Sequence, residues 1–321
     1  MSAVSPFSAR GLDARRLLRA ALPAISFAIV LGAIAYLNPR VISYFGFTLM
    51  LNYAVPIALV TVGQMFVMTG NDIDLSIGAF VGFAGCVVAT YLHDTPILGV
   101  LILLGCVAIY AGLGALVYWR NLPSIVVTLG MSFVWQGLAV LLLPKPGGKA
   151  PDWLQAIMSY KPPFVPLPIL AAAIIAAVGY FGLMRTSYGA ILRGTGGNAV
   201  AIQRAGWSLL RARATLFALA GVFGVLASLA LIGITRSADA NIGNGYTLLS
   251  IAGVILGGGE FIGGIVSPIG AVIGALTLTL ASTQLLGFLR IPPDWQVGAN
   301  GAILVIVLAA RAILGQPGSD K

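Results

Sequence analysis

Charge is scarce in this chain. Only 8% of its 321 residues are Asp, Glu, Lys or Arg, against about 25% in an ordinary soluble domain. A surface so poor in charge cannot face water, and this excludes a soluble globular fold. Histidine is scarcer still: His93 is the single one, and it stands beside Asp94 at a loop. One such histidine leaves no Ser/His/Asp set for nucleophilic catalysis. No Gly-x-x-x-x-Gly-Lys-Ser/Thr run occurs, so no phosphate loop for ATP hydrolysis is present. Cys86 and Cys106 are the two cysteines, both inside apolar segments, where they imply neither a disulfide framework nor a metal site. The chain is therefore read as no enzyme, with no cofactor or metal of its own.

What is there is apolar. Hydrophobic residues make up 59% of the chain and mean hydropathy is +1.00. About 20 apolar residues cross a bilayer as a helix, and the uncharged windows have that length. Ten segment cores are expected, at 22–37, 51–69, 75–92, 97–118, 123–143, 165–184, 214–234, 248–258, 266–287 and 297–314. Membrane strands would alternate polar and apolar residues, which these windows do not. The fold class expected is an all-α membrane protein of about ten transmembrane helices, some short or broken. Segment 248–258 is too short to cross alone; it is either a half-helix or continues into the Gly-rich run that follows. One transmembrane domain is expected at 21–315, between a basic tail at 1–20 and a short tail at 316–321.

Basic residues set the orientation. With the N-terminus inside and ten crossings, twelve Lys and Arg fall on the inner side and six on the outer. That asymmetry follows the positive-inside rule and places both termini in the cytosol. The net charge of +9 is thus mostly topology. No soluble stretch carries a basic stripe with interleaved aromatics, so nucleic acid is not an expected partner; membrane lipid is. The Arg-rich N-terminus is read as the inner tail of an uncleaved first helix. The longest outer loop, 144–164, is rich in Pro and Gly and carries Trp153 and Tyr160. It reads equally as a docking loop or as an interfacial connector.

Two stretches break the apolar pattern with acids and glycines: 69–78, holding Asp72, Asp74 and Ser76, and 257–264, holding Gly257, Gly258 and Glu260. Each is followed by a small-residue helix, which hints at two related halves. An acid at the centre of a membrane helix costs about 2.5–3.5 kcal/mol. The acids are therefore expected near an interface, capping the helix that starts near Leu75 and shaping a gate or helix turn there. Gly78, Gly82, Gly270 and Gly274 fit close helix packing.

A polar island at 185–213 stands apart. Gly196 and Gly197 break the chain and Asn198 suits an N-cap. A short helix through Ala201 and Arg204 then ends at Gly206, a residue suited to a left-handed cap. Such a helix is a rigid knob for another protein's groove, or an ordinary link between spans.

These stretches together resemble a family. Ile73-Asp74-Leu75-Ser76-Ile77-Gly78 resembles the signature of the membrane subunits of ribose-type ABC sugar importers. Thr186–Gly189, Gly196–Asn198 and Ala205–Gly206 are similar to that family's cytoplasmic coupling loop, and Gly243–Tyr246 with Ile251–Gly258 to its glycine block. Asn71 and Asp72 stand where the family usually has glycines. Ala199 and Val200 stand where it has acids, and Glu260 and Pro268 are also unusual. The resemblance covers about residues 40–314. It implies a bacterial inner-membrane permease carrying a monosaccharide, paired with a second permease copy or paralogue. It also implies an ABC ATPase that binds the ATP, a periplasmic sugar-binding protein, and coupling to the ATPase through 196–206.

A sugar path needs weak hydroxyl and amide partners. Candidates on apolar segments are Asn52, Gln64, Thr128, Ser132, Gln136, Ser282, Thr283, Gln284 and Asn300, with Tyr53 and Trp135 to stack on a ring. Each could equally make an interhelical hydrogen bond. Alternatives are another solute (a nucleoside, an autoinducer or a branched-chain amino acid) and an ion-coupled transporter using Asp72 and Asp74.

Overall fold

The computed structural model describes residues 14–285 and the isolated positions 295, 298, 301, 302 and 305. Apart from positions 298, 301, 302 and 305, the expected segment at 297–314, with Asn300, and the tail at 316–321 lie outside the described residues, as does the side chain of Gln284. Among the described residues the chain is helical. The helices are α1 (Ala14–Leu37), α2 (Tyr44–Leu51), α3 (Ala54–Thr69), α4 (Ile77–Val87), α5 (Pro96–Trp119), α6 (Ser124–Leu142) and α7 (Asp152–Ser159). They continue as α8 (Leu167–Tyr180), α9 (Ser187–Gly197), α10 (Ala199–Arg204), α11 (Leu209–Thr235), α12 (Tyr246–Leu256) and α13 (Pro268–Thr279). Helices α4, α8 and α13 each run on into a π turn, at 88–92, 181–185 and 280–285.

Local chemistry starts these helices where hydroxyls, amides and prolines stand. The side chains of Ser43, Thr186, Asn198, Ser208 and Ser267 each accept a backbone N–H in the first turn of the helix they precede. A capping bond of this kind is worth roughly 1 kcal/mol. Proline occupies the first turn of α5, α8 and α13, where its missing N–H costs nothing.

Among the described residues, four helices are long and apolar enough to cross a bilayer: α5, α6, α8 with its π turn, and α11. A fifth span forms if α2 and α3, bent by 48° at Asn52–Tyr53, count as one. α11 is the centre of the bundle, packed against α3, α4 and α5; 61% of its apolar window is buried, against 17% for the peripheral α6. The apolar side chains that α5, α6 and α8 leave exposed, such as Leu101, Leu141 and Ile174, face outward as lipid-facing residues do.

The bundle has two ends. At one lie α9, α10 and the loops 70–76 and 257–267. At the other, Gly147 and Ala238 exchange backbone hydrogen bonds of 2.9 and 2.8 Å, Ala150 donates to Arg236 at 3.0 Å and Lys149 donates to Ala89 at 2.8 Å. The loop at 144–164 is thus paired with the loop after α11, and it carries the short helix α7.

α4 with its π turn fills the expected core at 75–92 but for two residues, and α12 is as short as the expected core at 248–258, set two residues earlier. α12 ends at Leu256, because Gly258 turns left-handed at φ 99° rather than prolonging the helix. Its N-terminus meets that of α4: the amide of Gly78 donates to the hydroxyl of Thr247 at 3.0 Å. A Cβ on Gly78 would strike the carbonyl of Gly243, and one on Gly82 that of Ala240. Gly270 and Gly274 likewise lie on the backbone of Gly257 and Gly253, so α12 and α13 pack with main chains touching. These glycines serve packing, as small residues do between membrane helices.

Candidate functional site

The loop 70–76 is irregular backbone inside a helical bundle. Every polar group on it needs a partner, because lipid and protein interior supply no water. The partners are side chains on neighbouring helices. The amide of Ile73 donates to the Ser124 hydroxyl at 3.2 Å and that of Leu75 to the Thr128 hydroxyl at 3.0 Å. With its amide oriented to satisfy both groups, Gln64 bonds the N–H and the C=O of Asp74, each at 3.1 Å. Gln64 lies five residues before the end of α3, so Asp74 sits about 7–8 Å up from that end. The loop climbs back along α3 and α6 before α4 begins.

Asp74 is fully buried. Its Oδ1 accepts the amide of Ser76 at 2.7 Å and the Ser76 hydroxyl at 2.6 Å. That hydroxyl lies 3.1 Å from the phenol oxygen of Tyr110. Carboxylate, serine and tyrosine thus form one chain at the start of α4. Asp72, nearer the α9–α10 end, is 7% exposed at its side chain and lies 3.3 Å from Nε of Arg213, in the second turn of α11. Burial raises the Asp72 pKa above its ordinary value, while the Arg213 charge and the Ser124 hydroxyl pull it back down.

Asn71 joins three stretches that the sequence keeps apart. It holds a left-handed backbone, φ 63°, a conformation asparagine tolerates better than most residues. Its Nδ2 donates to the carbonyl of Gly196 at 2.7 Å, and its Oδ1 accepts the amide of Gly263 at 3.0 Å. Gly264, also left-handed, lies so close to the backbones of Arg193 and Gly197 that no side chain fits. The loops 70–76 and 257–264 therefore meet on the C-terminal turn of α9. Gly257 is buried against Gly270 within this assembly, and the Glu260 side chain is exposed.

The glycine pair 196–197 does not break the chain, as its composition suggests. α9 runs through both, and Gly196 is held against the Thr69 carbonyl and the Asn71 side chain, where a Cβ has no room. The break comes at Asn198, whose Oδ1 accepts the amide of Ala201 at 3.0 Å. α10 closes with Gly206 at φ 85°. The amide of Trp207 bonds the Ile202 carbonyl at 3.2 Å and that of Gly206 the Gln203 carbonyl at 3.0 Å, the paired bonds of a Schellman cap. No residue of α10 is buried, Ala201 and Arg204 being exposed. Its Ile202 packs over Gly194 of α9. The result is a short, rigid, solvent-facing helix fixed at both ends.

The candidate path residues divide. Gln64 and Thr128 support the backbone of loop 70–76. Trp135 is 1% exposed, enclosed by Phe80, Phe83 and Tyr110 with ring centroids 5.2, 5.3 and 6.3 Å away. Its ring therefore has no open face for a solute to stack on. Ser132 donates to Leu129 at 2.6 Å and Ser282 to Thr279 at 3.3 Å, both within their own helices, as does Thr283 to Thr279 at 2.7 Å. Asn52 caps α2 and exposed Tyr53 marks the bend. Gln136 alone reaches a polar cluster, donating to Asn241 at 2.9 Å, where Asn244 also donates at 3.2 Å. Sequence reasoning missed Asn241, Asn244, Ser124, Tyr110 and Arg213. The first two stand in a polar stretch, 236–245, that breaks the apolar pattern, and Arg213 closes the polar island at 185–213; nothing in the sequence marks Ser124 or Tyr110.

The family model described as "Branched-chain amino acid transport system / permease component" matches residues 46–308. The chain is 31% identical over 271 residues to the autoinducer 2 import system permease protein LsrC of Yersinia pseudotuberculosis serotype O:1b (strain IP 31758), covering 82% of this chain and 76% of that protein. Its counterpart in Yersinia pestis (strain Pestoides F) gives the same figures. That of Yersinia enterocolitica serotype O:8 is 30% identical over 274 residues, with 82% and 74% covered. No solved structure matches. The chain belongs to this permease-component family: it is a multi-pass membrane permease of an ABC import system.

Proposed function

We propose that the chain carries a small polyhydroxylated solute, of monosaccharide or autoinducer-2 type, across the bacterial inner membrane, driven by a separate ATPase that docks on α10. The observation that carries the docking is α10 itself: six residues, capped at both ends, none buried, next to the turn of α9 on which the loops 70–76 and 257–264 meet. A helix that supports no core and is nonetheless fixed at each end suits a partner's groove. The solute class rests on the relatives named for autoinducer 2 import and on the carboxamides of Gln136, Asn241 and Asn244 at the opposite end. Amides of this kind pair with hydroxyls and release them readily.

In this reading α10 faces the cytosol and loop 144–164 the periplasm, where a solute-binding protein delivers its cargo. Both termini are cytosolic, as the basic residues suggest. Asp72 and Asp74 shape the gate, since each already has a structural partner, and a second permease copy or paralogue completes the path. ATP is held by the ATPase. An ion-coupled transporter would use Asp72 or Asp74; Asp72 faces Arg213 instead, and comparing Asp74→Asn with Asp74→Leu tests the other.

The test is uptake into cells carrying the ATPase, the binding protein and this permease. Labelled autoinducer 2 and ribose are offered against labelled leucine. Uptake of either of the first two that needs all components supports the reading, whereas uptake of leucine alone overturns the solute class. An Ala201→Cys variant should cross-link to the ATPase, and its failure in an assembled, active complex would remove the docking. A reporter fused at Lys321 that is active only in the periplasm would overturn the topology.

A further inference from the structure

We infer that Asn71 is a positioning residue that transmits movement of α10 to the two short helices, α4 and α12, at once. This rests on α10 being the ATPase contact. The geometry comes from three segments far apart in the sequence. The Asn71 amide donates to Gly196, two residues before the Asn198 cap of α10, and accepts from Gly263, in the loop that leaves α12. Asn71 itself lies on the loop that leads into α4. Its side chain is a two-way clamp, with the donor on the α9–α10 elbow and the acceptor on the other glycine loop.

The surroundings make the clamp stiff. α9 and α10 are tied through Ile202 over Gly194 and through the double role of Asn198 as end of one helix and start of the next. A push on α10 therefore displaces Gly196 rather than bending the elbow. On the far side, Gln64 grips the backbone of Asp74, and Asp74 holds Ser76 at the start of α4. Gly264 has no room to slide past Arg193 and Gly197. Asp72, next in sequence, is anchored to Arg213 at the foot of α11. Movement of the elbow thus reaches α4 through the loop and α12 through Gly263, and those two helices meet N-terminus to N-terminus at Gly78 and Thr247.

The experiment uses the assembled importer in liposomes, with an Ile262→Cys reporter on the 257–264 loop. Ile262 is 75% exposed, and Cys86 and Cys106 are buried, so a maleimide reads the reporter. The probe is MgATP with orthovanadate, which needs no solute. With Asn71 present, nucleotide should change the labelling rate by about fivefold, the lower end of ordinary allosteric coupling. Asn71→Gly keeps the left-handed backbone and removes both amide bonds; Asn71→Asp keeps only the acceptor. In both, the nucleotide response should fall towards none while Ala201→Cys still cross-links to the ATPase. An unchanged response in either variant with the cross-link intact overturns the inference, as does absence of a response when Asn71 is present. Loss of the assembled complex in both variants also overturns it, in favour of a purely structural role. Absence of the cross-link with Asn71 in place instead removes the docking reading, and the inference with it.

Discussion

The carboxylate of Asp72 and the guanidinium of Arg213, 141 positions apart, face each other at 3.3 Å, the acid almost wholly buried and the base about a third exposed. The pair ties the loop before α4 to the foot of the central helix. A buried acid without its base is costly, whereas a neutral pair of similar size is not. Arg213→Met should therefore lower stability by about 3 kcal/mol. Adding Asp72→Asn to it should restore most of that loss. Thermal unfolding in detergent of both single variants and the double variant measures the coupling. Strictly additive losses would remove the pair from the account.

Gln64 is expected to matter through the main chain it supports. Gln64→Leu leaves the Asp74 N–H and C=O buried without partners, at roughly 1–3 kcal/mol each. Thr128→Val keeps the side-chain shape, strands the Leu75 N–H and removes only a long 3.3 Å contact to the Ile73 carbonyl, so it should cost less than Gln64→Leu. Amide hydrogen exchange over residues 73–76 should speed up in both. Protection equal to that of the unaltered chain would show that this loop is held by something else.

Asp74 should tolerate amide but not hydrocarbon. Asp74→Asn retains an oxygen for the Ser76 amide and hydroxyl; Asp74→Leu retains none. Uptake at matched membrane levels should be substantial for Asn and lost for Leu. Equal, near-total loss in both would assign Asp74 a charge-dependent role, such as binding a cation or carrying a proton.

Glycine tolerance should follow main-chain proximity. Gly270→Ala and Gly274→Ala push a Cβ into the backbone of Gly257 and Gly253, so both should reduce folded protein in the membrane. Gly105→Ala and Gly112→Ala on α5 meet nothing within 4 Å. They should be neutral, or stabilising by up to about 1 kcal/mol through helix propensity. The same ranking of expression levels for the two pairs would contradict the packing.

Much of this fold is legible in the sequence, for a physical reason: a bilayer demands long apolar runs, and α5, α6, α8 and α11 follow the windows closely. Caps are local as well, so Asn198 and Gly206 stand where their side-chain and backbone chemistry requires. Illegible parts depend on distant contacts. Gly196 and Gly197 read as a break because isolated glycine weakens a helix; here Thr69, Asn71 and Gly264 press on that turn and leave room for nothing larger. Arg213 reads as one more basic residue of the island until folding brings Asp72 to it. Gln64, Ser124 and Thr128 read as polar residues on apolar helices, equally suited to a solute or to a neighbour. Only the loop that climbs between them decides.

The brevity of α12 has a consequence for how the protein is made. Eleven residues rise about 16 Å, half the thickness of the hydrocarbon layer, so insertion machinery that sorts nascent segments by apolar length will not retain this one on its own merits. α12 also rests by main-chain contact on α13, which follows it, while the turn at Gly243 before it lies on Gly78 of α4, made well over a hundred residues earlier. Its placement must therefore wait for the C-terminal neighbour to emerge and for the N-terminal half to be already in the membrane, which makes the order of synthesis part of the route to the finished bundle.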